Sequence, residues 1–161
     1  MGADRTLAAF AYEGPARGLV LALKARGLRD CSGPLADGMV AVARRAGLLA
    51  QVVTWVPARP HDVSGRGFDH ARVLAQEVAR SLGLPAARLL LRADARRDQV
   101  GLSAPDRRRN LRGAFRARPA GGRRVLLVDD LLTTGSTAKE CVSALRASGA
   151  GGVEVLVACR A

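Results

Sequence analysis

The 161-residue chain is long enough to bury the core of one domain, and 48% of its residues are hydrophobic. Its formal net charge is +12, and 24 of its 26 basic residues are Arg. The sequence has no apolar run of roughly 18 residues and no secretory signal pattern, so it is predicted to be a cytoplasmic protein without a membrane span. It has no CxxC pair, so neither a zinc module nor a disulfide framework is predicted.

Apolar runs typical of strands alternate along the chain with segments of helical periodicity. Pro57 stops one buried strand, and Asp69 and Gly83 are the predicted N-cap and C-terminal stop of the helix that follows. In chain order, the predicted elements are a strand over 6–14, helices over 15–27 and 34–47, a strand over 51–57, a helix over 69–83, a strand over 87–93, a loop over 96–103, a short helix over 103–110, a strand over 123–130, a helix over 136–149 and a strand over 152–160.

This alternation implies βαβ units, and therefore an α/β fold with a mainly parallel sheet flanked by helices, in one domain over 1–161. In open sheets of this kind, ligands bind beyond the carboxyl ends of the strands. The functional residues are therefore expected where strands end.

The stretch RVLLVDDLLTTGST, residues 124–137, places two acids after a buried strand. We expect Asp129 and Asp130 to emerge at the carboxyl end of that strand, where they could accept hydrogen bonds from a ribose diol. The following residues supply hydroxyl groups, a bare glycine backbone and the amides of a helix N-terminus, which together suit a phosphate. Two acids that can bind a diol, next to amides and hydroxyls that can bind a phosphate, predict a site for a ribose 5-phosphate.

Other protein classes share an acidic pair after an apolar strand. A response-regulator receiver needs a further Asp and a Lys on later strands, but the 31 residues after Asp130 contain no Asp. A Walker-B strand is accompanied by a GxxxxGK[ST] loop, which the sequence lacks. The remaining alternative is a helix-capping turn with solvated acids.

Positive charge is concentrated in residues 88–124, which contain twelve Arg against three Asp. Such a field attracts nucleotides, sugar phosphates, pyrophosphate or nucleic acid, although a solvated basic face and a GC-rich genome would explain the same composition. Proteins that bind single strands usually add stacking aromatics, and Phe115 is the one aromatic residue in this segment.

The sequence resembles the ComF (competence protein F) and GntX-like branch of the type I phosphoribosyltransferases. VLLVDDLLTTGST is similar to their signature for phosphoribosyl pyrophosphate (PRPP), and the branch is matched by RGFDHARVLA followed by RRRNLRGAF. The resemblance implies the type I phosphoribosyltransferase fold, a twisted sheet with a flexible hood. Family members usually begin with a Cys-rich, zinc-finger-like module that this sequence lacks, so we expect either a naturally short chain or a trimmed one.

The same resemblance implies roles for individual residues. Residues 92–102 correspond to the hood, whose Arg-rich, aperiodic composition suits a lid that binds anions. Asp129 and Asp130 are implied to bind the ribose hydroxyls and to be the catalytic residues. The residues implied to bind the 5-phosphate are Thr133, Thr134, Gly135, Ser136 and Thr137. The pyrophosphate is implied to contact Ala58, Arg59 and Arg66, and the hood is implied to contribute Arg92, Arg97 and Gln99.

Neither histidine is assigned a catalytic role by the sequence. His61 lies in a predicted loop and His70 on a predicted helix surface, and no spacing ties either of them to the acids. No Cys or Ser has a base partner that the sequence can show, so nucleophilic catalysis gains no support.

The reaction implied by the resemblance is displacement of pyrophosphate from C1 of PRPP by a nitrogen nucleophile, with Mg²⁺ bound through the substrate phosphates and no dedicated protein cage. The alternatives are a catalytically silent PRPP-site protein acting in competence or DNA uptake, and a nucleic-acid-binding regulator. No membrane partner is expected, and a homodimer is among the assemblies that the family forms.

Overall fold

The computed structural model describes residues 2–25, 29–59, 68–93 and 113–161. Strands and helices alternate along these ranges, as the sequence predicts. The elements are β1 (Arg5–Ala11), α1 (Gly14–Ala25), a 3-10 turn (Arg29–Cys31), α2 (Ser32–Arg45), β2 (Val52–Trp55), α3 (His70–Leu82), β3 (Leu90–Arg92), β4 (Phe115–Ala117), β5 (Arg124–Leu132), α4 (Ser136–Ala147) and β6 (Gly152–Arg160).

In the described ranges, four strands form a parallel sheet in the order β1-β6-β5-β2. The register aligns Trp55 of β2 with Val128 of β5, so these two strands run side by side towards the same edge. Strands β3 and β4 pair antiparallel in a separate two-stranded sheet. The α/β class and the parallel sheet are therefore confirmed.

Two apolar clusters cover the two faces of the parallel sheet. Leu126 and Val128 of β5 pack in the cluster formed with α1, α2 and α3, whereas Val125 and Leu127 pack in the cluster formed with α4 and the small sheet. This alternation follows from the two-residue period of a strand. The result is a central sheet between two helical layers.

The predicted boundaries of helix α3 are confirmed by its caps. The Asp69 side chain accepts a hydrogen bond from the backbone N–H of Arg72, which is the N-cap interaction expected of an aspartate. Gly83 ends the helix at φ 68°, a left-handed conformation that suits glycine. These two residues fix where the helix begins beside the end of β2.

Several boundaries differ from the predictions. Strand β5 continues two residues beyond Asp130, because 131 and 132 keep their register with β6. Strand β4 was not predicted, since three residues are too few to show an alternating pattern. The predicted loop over 96–103 and the short helix over 103–110 lie outside the described residues.

No helix in the described part of the chain has the length and apolar character required to cross a membrane.

Candidate functional site

A cavity of about 240 Å³ opens where the neighbouring strands β2 and β5 end. The backbone N–H of Val56 donates to the carbonyl of Val128 at 3.0 Å, which holds the turn after β2 against β5. The lining brings together residues that are distant in sequence. They are Lys24, Val56, Pro57, Ala58, Arg59, His70, Arg92, Asp129, Asp130 and Leu131.

The two adjacent aspartates lie inside β5 and do not follow it, which corrects the expectation that they emerge at the strand's end. Because successive side chains of a strand point to opposite faces, Asp130 lies on the side of α1 and α3, and Asp129 lies on the side of α4. Both residues nevertheless line the same cavity. The cavity therefore receives one carboxylate from each side of the strand.

Asp130 is 2% exposed and lies against two nitrogen groups. Its Oδ2 atom is 2.9 Å from Nζ of Lys24 and 3.2 Å from Nε2 of His70. Neither contact has the directional geometry of a hydrogen bond, so the interaction with Lys24 is principally ionic. A buried carboxylate needs such compensation, because leaving a charge without a partner away from water is costly.

Asp129 is half-buried and has different partners. Its Oδ1 accepts a hydrogen bond from the backbone N–H of Asp130 at 2.9 Å. Burial raises the pKa of Asp129 well above its ordinary range, and the neighbouring negative charge of Asp130 raises it further. The backbone hydrogen bond and the charge of Lys24 oppose that rise in pKa.

Arg92 joins the small sheet to the turn after β2. Its Nε donates to the carbonyl of Pro57 at 3.0 Å, and its guanidinium lies 4.9 Å from the centre of the Phe115 ring. In the same turn, Arg59 is exposed and the N–H of Ala58 is 3.4 Å from Oδ2 of Asp69. Two guanidinium groups therefore stand at the cavity on the side of β2 and β3.

The hydroxyl-rich loop over 133–137 leads from β5 into helix α4. Gly135 is the N-cap residue at φ 73° and has no side chain to cap the helix, whereas the Thr134 hydroxyl accepts a hydrogen bond from the backbone N–H of Ser136 at 3.4 Å. The Thr134 and Ser136 hydroxyl oxygens are 3.0 Å apart. The loop begins two residues after Leu131 of the cavity lining, and the backbone amides of a helix N-terminus such as that of α4 can bind an anion.

The structure brings Asp129, Asp130, Ala58, Arg59 and Arg92 to one cavity and places 133–137 in the next turn of the chain. The other predicted contacts lie outside the described residues. These are Arg66, Arg97 and Gln99, together with most of the predicted hood over 92–102.

Lys24 and His70 are site residues that the sequence did not reveal. The prediction that His70 lies on a helix surface is wrong, because its side chain is 12% exposed and its Nε2 lies 3.2 Å from Oδ2 of Asp130. A signal for Lys24 existed, since it is one of two lysines in a chain with 24 arginines. No spacing in the sequence predicts either contact.

No group of three or more His, Cys, Asp or Glu side chains that could hold a metal ion occurs among the residues that the structure describes. The oxygen ligands at the cavity are the two carboxylates of Asp129 and Asp130. Two carboxylates suit Mg²⁺, which usually keeps several waters and binds through one or two carboxylates together with substrate phosphates.

Comparison with known proteins identifies a matching family and similar sequences. The family described as "Phosphoribosyl transferase domain" matches residues 69–161. The DNA utilization protein YhgH of Escherichia coli O157:H7 is 41% identical over 97 residues, which are 59% of this chain and 43% of that protein. Competence protein F of Haemophilus influenzae is 40% identical over 95 residues, or 56% of this chain and 42% of that protein. The matches thus span less than half of these relatives.

Solved structures share the fold. The glutamine PRPP amidotransferase of B. subtilis, complexed with ADP and GMP, matches 80% of this chain and 26% of its own, with a TM-score of 0.56 and 25% identity. The adenine phosphoribosyltransferase of Leishmania donovani matches 84% of this chain and 54% of its own, with a TM-score of 0.50 and 20% identity. The expected fold class is confirmed.

Proposed function

The chain belongs to the phosphoribosyl transferase domain family, in its competence protein F-like branch, and from that membership we propose that it binds PRPP and transfers the phosphoribosyl group to a nitrogenous acceptor. The observation that carries the proposal is the cavity between the ends of β2 and β5, which is lined by two carboxylates and three cationic side chains. This combination suits a ligand that presents hydroxyl groups and phosphate groups together.

Each part of PRPP has a complementary part of the site. The ribose hydroxyls would donate to Asp129 and Asp130, since carboxylate oxygens accept such bonds strongly. The 5-phosphate would bind at the loop over 133–137, where the N-terminal amides of α4 and the hydroxyls of Thr134 and Ser136 lie together. The pyrophosphate would lie towards Arg59 and Arg92, whose guanidinium groups suit phosphate oxygens.

The proposed reaction breaks the bond between C1 and the pyrophosphate oxygen and forms a bond between C1 and the acceptor nitrogen, which loses a proton. Negative charge grows on the departing pyrophosphate, and positive charge grows on the ribose ring. Arg59 and Arg92 would stabilise the first, and Asp129 and Asp130 would orient the sugar that carries the second. Mg²⁺, when bound with PRPP, would neutralise part of the pyrophosphate charge.

The second candidate function is a PRPP site without turnover in competence or DNA uptake. It is favoured by the names of the relatives, which refer to competence and DNA utilization. A nucleic-acid-binding regulator would additionally use the basic segment over 88–124. Pyrophosphate release with candidate bases supports the transferase, whereas PRPP binding without release supports the silent site.

The test is isothermal titration with PRPP and Mg²⁺ on the wild-type chain and on Asp129→Asn with Asp130→Asn. We expect the double variant to stay folded and to lose binding, because the amides keep the shape of the carboxylates but lose their charge. The matched control is Asp30→Asn with Asp37→Asn, which removes two exposed charges away from the cavity and should bind normally. Unchanged affinity in the first double variant contradicts the site.

A further inference from the structure

Lys24 reaches the cavity from helix α1, far from the residues that carry the family signature. It lies before residues 69–161, the segment that the family matches, and it lines the cavity beside Asp130. Its side chain is 32% exposed, whereas that of Asp130 is 4% exposed. The ion pair therefore connects the solvent side of the cavity with the buried face of β5.

Lys24 and His70 meet the same oxygen of Asp130. Both nitrogen atoms lie nearest Oδ2, and that oxygen is fully buried. An ionised carboxylate has two oxygens with about four acceptor positions, so the contacts of Lys24 and His70 on Oδ2 do not occupy the acceptor positions of Oδ1. Both nitrogen groups therefore act on one oxygen of Asp130, the buried one.

We propose that Lys24 is a positioning residue of the PRPP site, holding the Asp130 carboxylate by its buried oxygen so that the other oxygen is presented to the ribose hydroxyls. The inference rests on the proposed function. It adds a residue of α1 to a site that is otherwise formed by the turn after β2, by β3 and β5, and by the start of α3.

Two physical arguments support this role. First, an ammonium group is a compact point charge with three donors, so it can neutralise a buried carboxylate without covering its second oxygen. Second, removing one partner of a buried ion pair leaves the other charge uncompensated, and a carboxylate in that condition turns towards water or takes up a proton. Either response withdraws the acceptor that the ribose needs.

The experiment measures the PRPP dissociation constant, with Mg²⁺, for wild type, Lys24→Met and Lys24→Arg. Methionine keeps the apolar stem without the charge, and we expect at least a roughly tenfold weaker affinity. Arginine keeps the charge and should recover most of the affinity. Arg45→Met, which removes an exposed charge of α2 outside the cavity, should leave the affinity within about twofold of wild type.

A second measurement separates positioning from direct contact with PRPP. Urea unfolding without ligand is compared for Lys24→Met, Asp130→Asn and the two together, and the changes should be non-additive because the residues interact in the free protein. Additive changes together with weakened PRPP binding would assign Lys24 to direct ligand contact and overturn the positioning role.

The outcomes also separate this inference from the proposed function. If the wild-type protein binds PRPP and Lys24→Met binds it equally well, the inference alone is overturned. Wild type that fails to bind PRPP would overturn the proposed function, and the inference with it.

Discussion

Asp129 and Asp130 are neighbours in sequence, and their carboxyl groups interact with each other but differ in their other partners. Asp130 is compensated by Lys24 and lies near His70, whereas Asp129 receives one backbone N–H and has a raised pKa. The cause of that rise is burial first and the charge of Asp130 second. The fold therefore disfavours the ionised form of Asp129.

Asp129→Asn is expected to stabilise the ligand-free protein at neutral pH. Asparagine removes the disfavoured charge and keeps an oxygen for the N–H of Asp130. Below the ordinary carboxyl pKa of about 3.9, Asp129 is protonated in both folded and unfolded chains, so its charge costs nothing. As the pH rises from there through the raised pKa of the folded state, the free energy of unfolding of the wild type falls, because the unfolded chain releases this proton at a lower pH than the folded chain does. We expect a melting temperature about 2–4 °C higher than wild type at pH 8 and little difference at pH 4.

Thermal melts of both proteins across this pH range check the expectation. Asp37→Asn, at an exposed position of α2, is the matched control and should show no such pH-dependent gain. A lower melting temperature for Asp129→Asn at pH 8 would show that the charge of Asp129 stabilises the ligand-free fold.

Among the elements, the small sheet reaches the cavity through Arg92 of β3. Arg92 donates to the carbonyl of Pro57 and stacks on Phe115, so it joins β3, β4 and the turn after β2. The predicted hood begins at Arg92, which means that the base of the hood is tied to the proposed pyrophosphate turn.

Arg92→Ala is expected to lower the free energy of unfolding by about 1–2 kcal/mol, through loss of one hydrogen bond and one cation–π contact. Urea denaturation measures the change. Arg88→Ala is the matched control, because Arg88 is exposed just before β3 and should change stability by less than about 0.5 kcal/mol. Equal effects of the two substitutions would contradict the linking role of Arg92.

The same elements show which parts of the fold could be predicted from the sequence. Apolar periodicity and the caps of Asp69 and Gly83 were sufficient to predict α3 and the buried strands, because those signals are local. Local signals do not fix which face a side chain takes at the end of a strand. The two aspartates were therefore expected to emerge at the end of the strand, whereas β5 continues to Leu132 and places them on opposite faces, from which both line the same cavity.

Across the whole molecule, the cavity collects residues from α1 to β5, over most of the chain's length. The signature and the turn after β2 were readable as motifs, but the contacts of Lys24 and His70 with Asp130 depend on how α1 and α3 pack on the sheet. Such contacts follow from tertiary packing. In the proposed function, this arrangement would let the chain contact PRPP from several directions at once.

The most direct test of the central claim is a crystal structure of the protein with PRPP and Mg²⁺. The account predicts ribose hydroxyls within hydrogen-bonding distance of Asp129 and Asp130, the 5-phosphate at 133–137 and the pyrophosphate near Arg59 and Arg92. PRPP bound elsewhere, with both aspartates making no contact with its ribose, would contradict it.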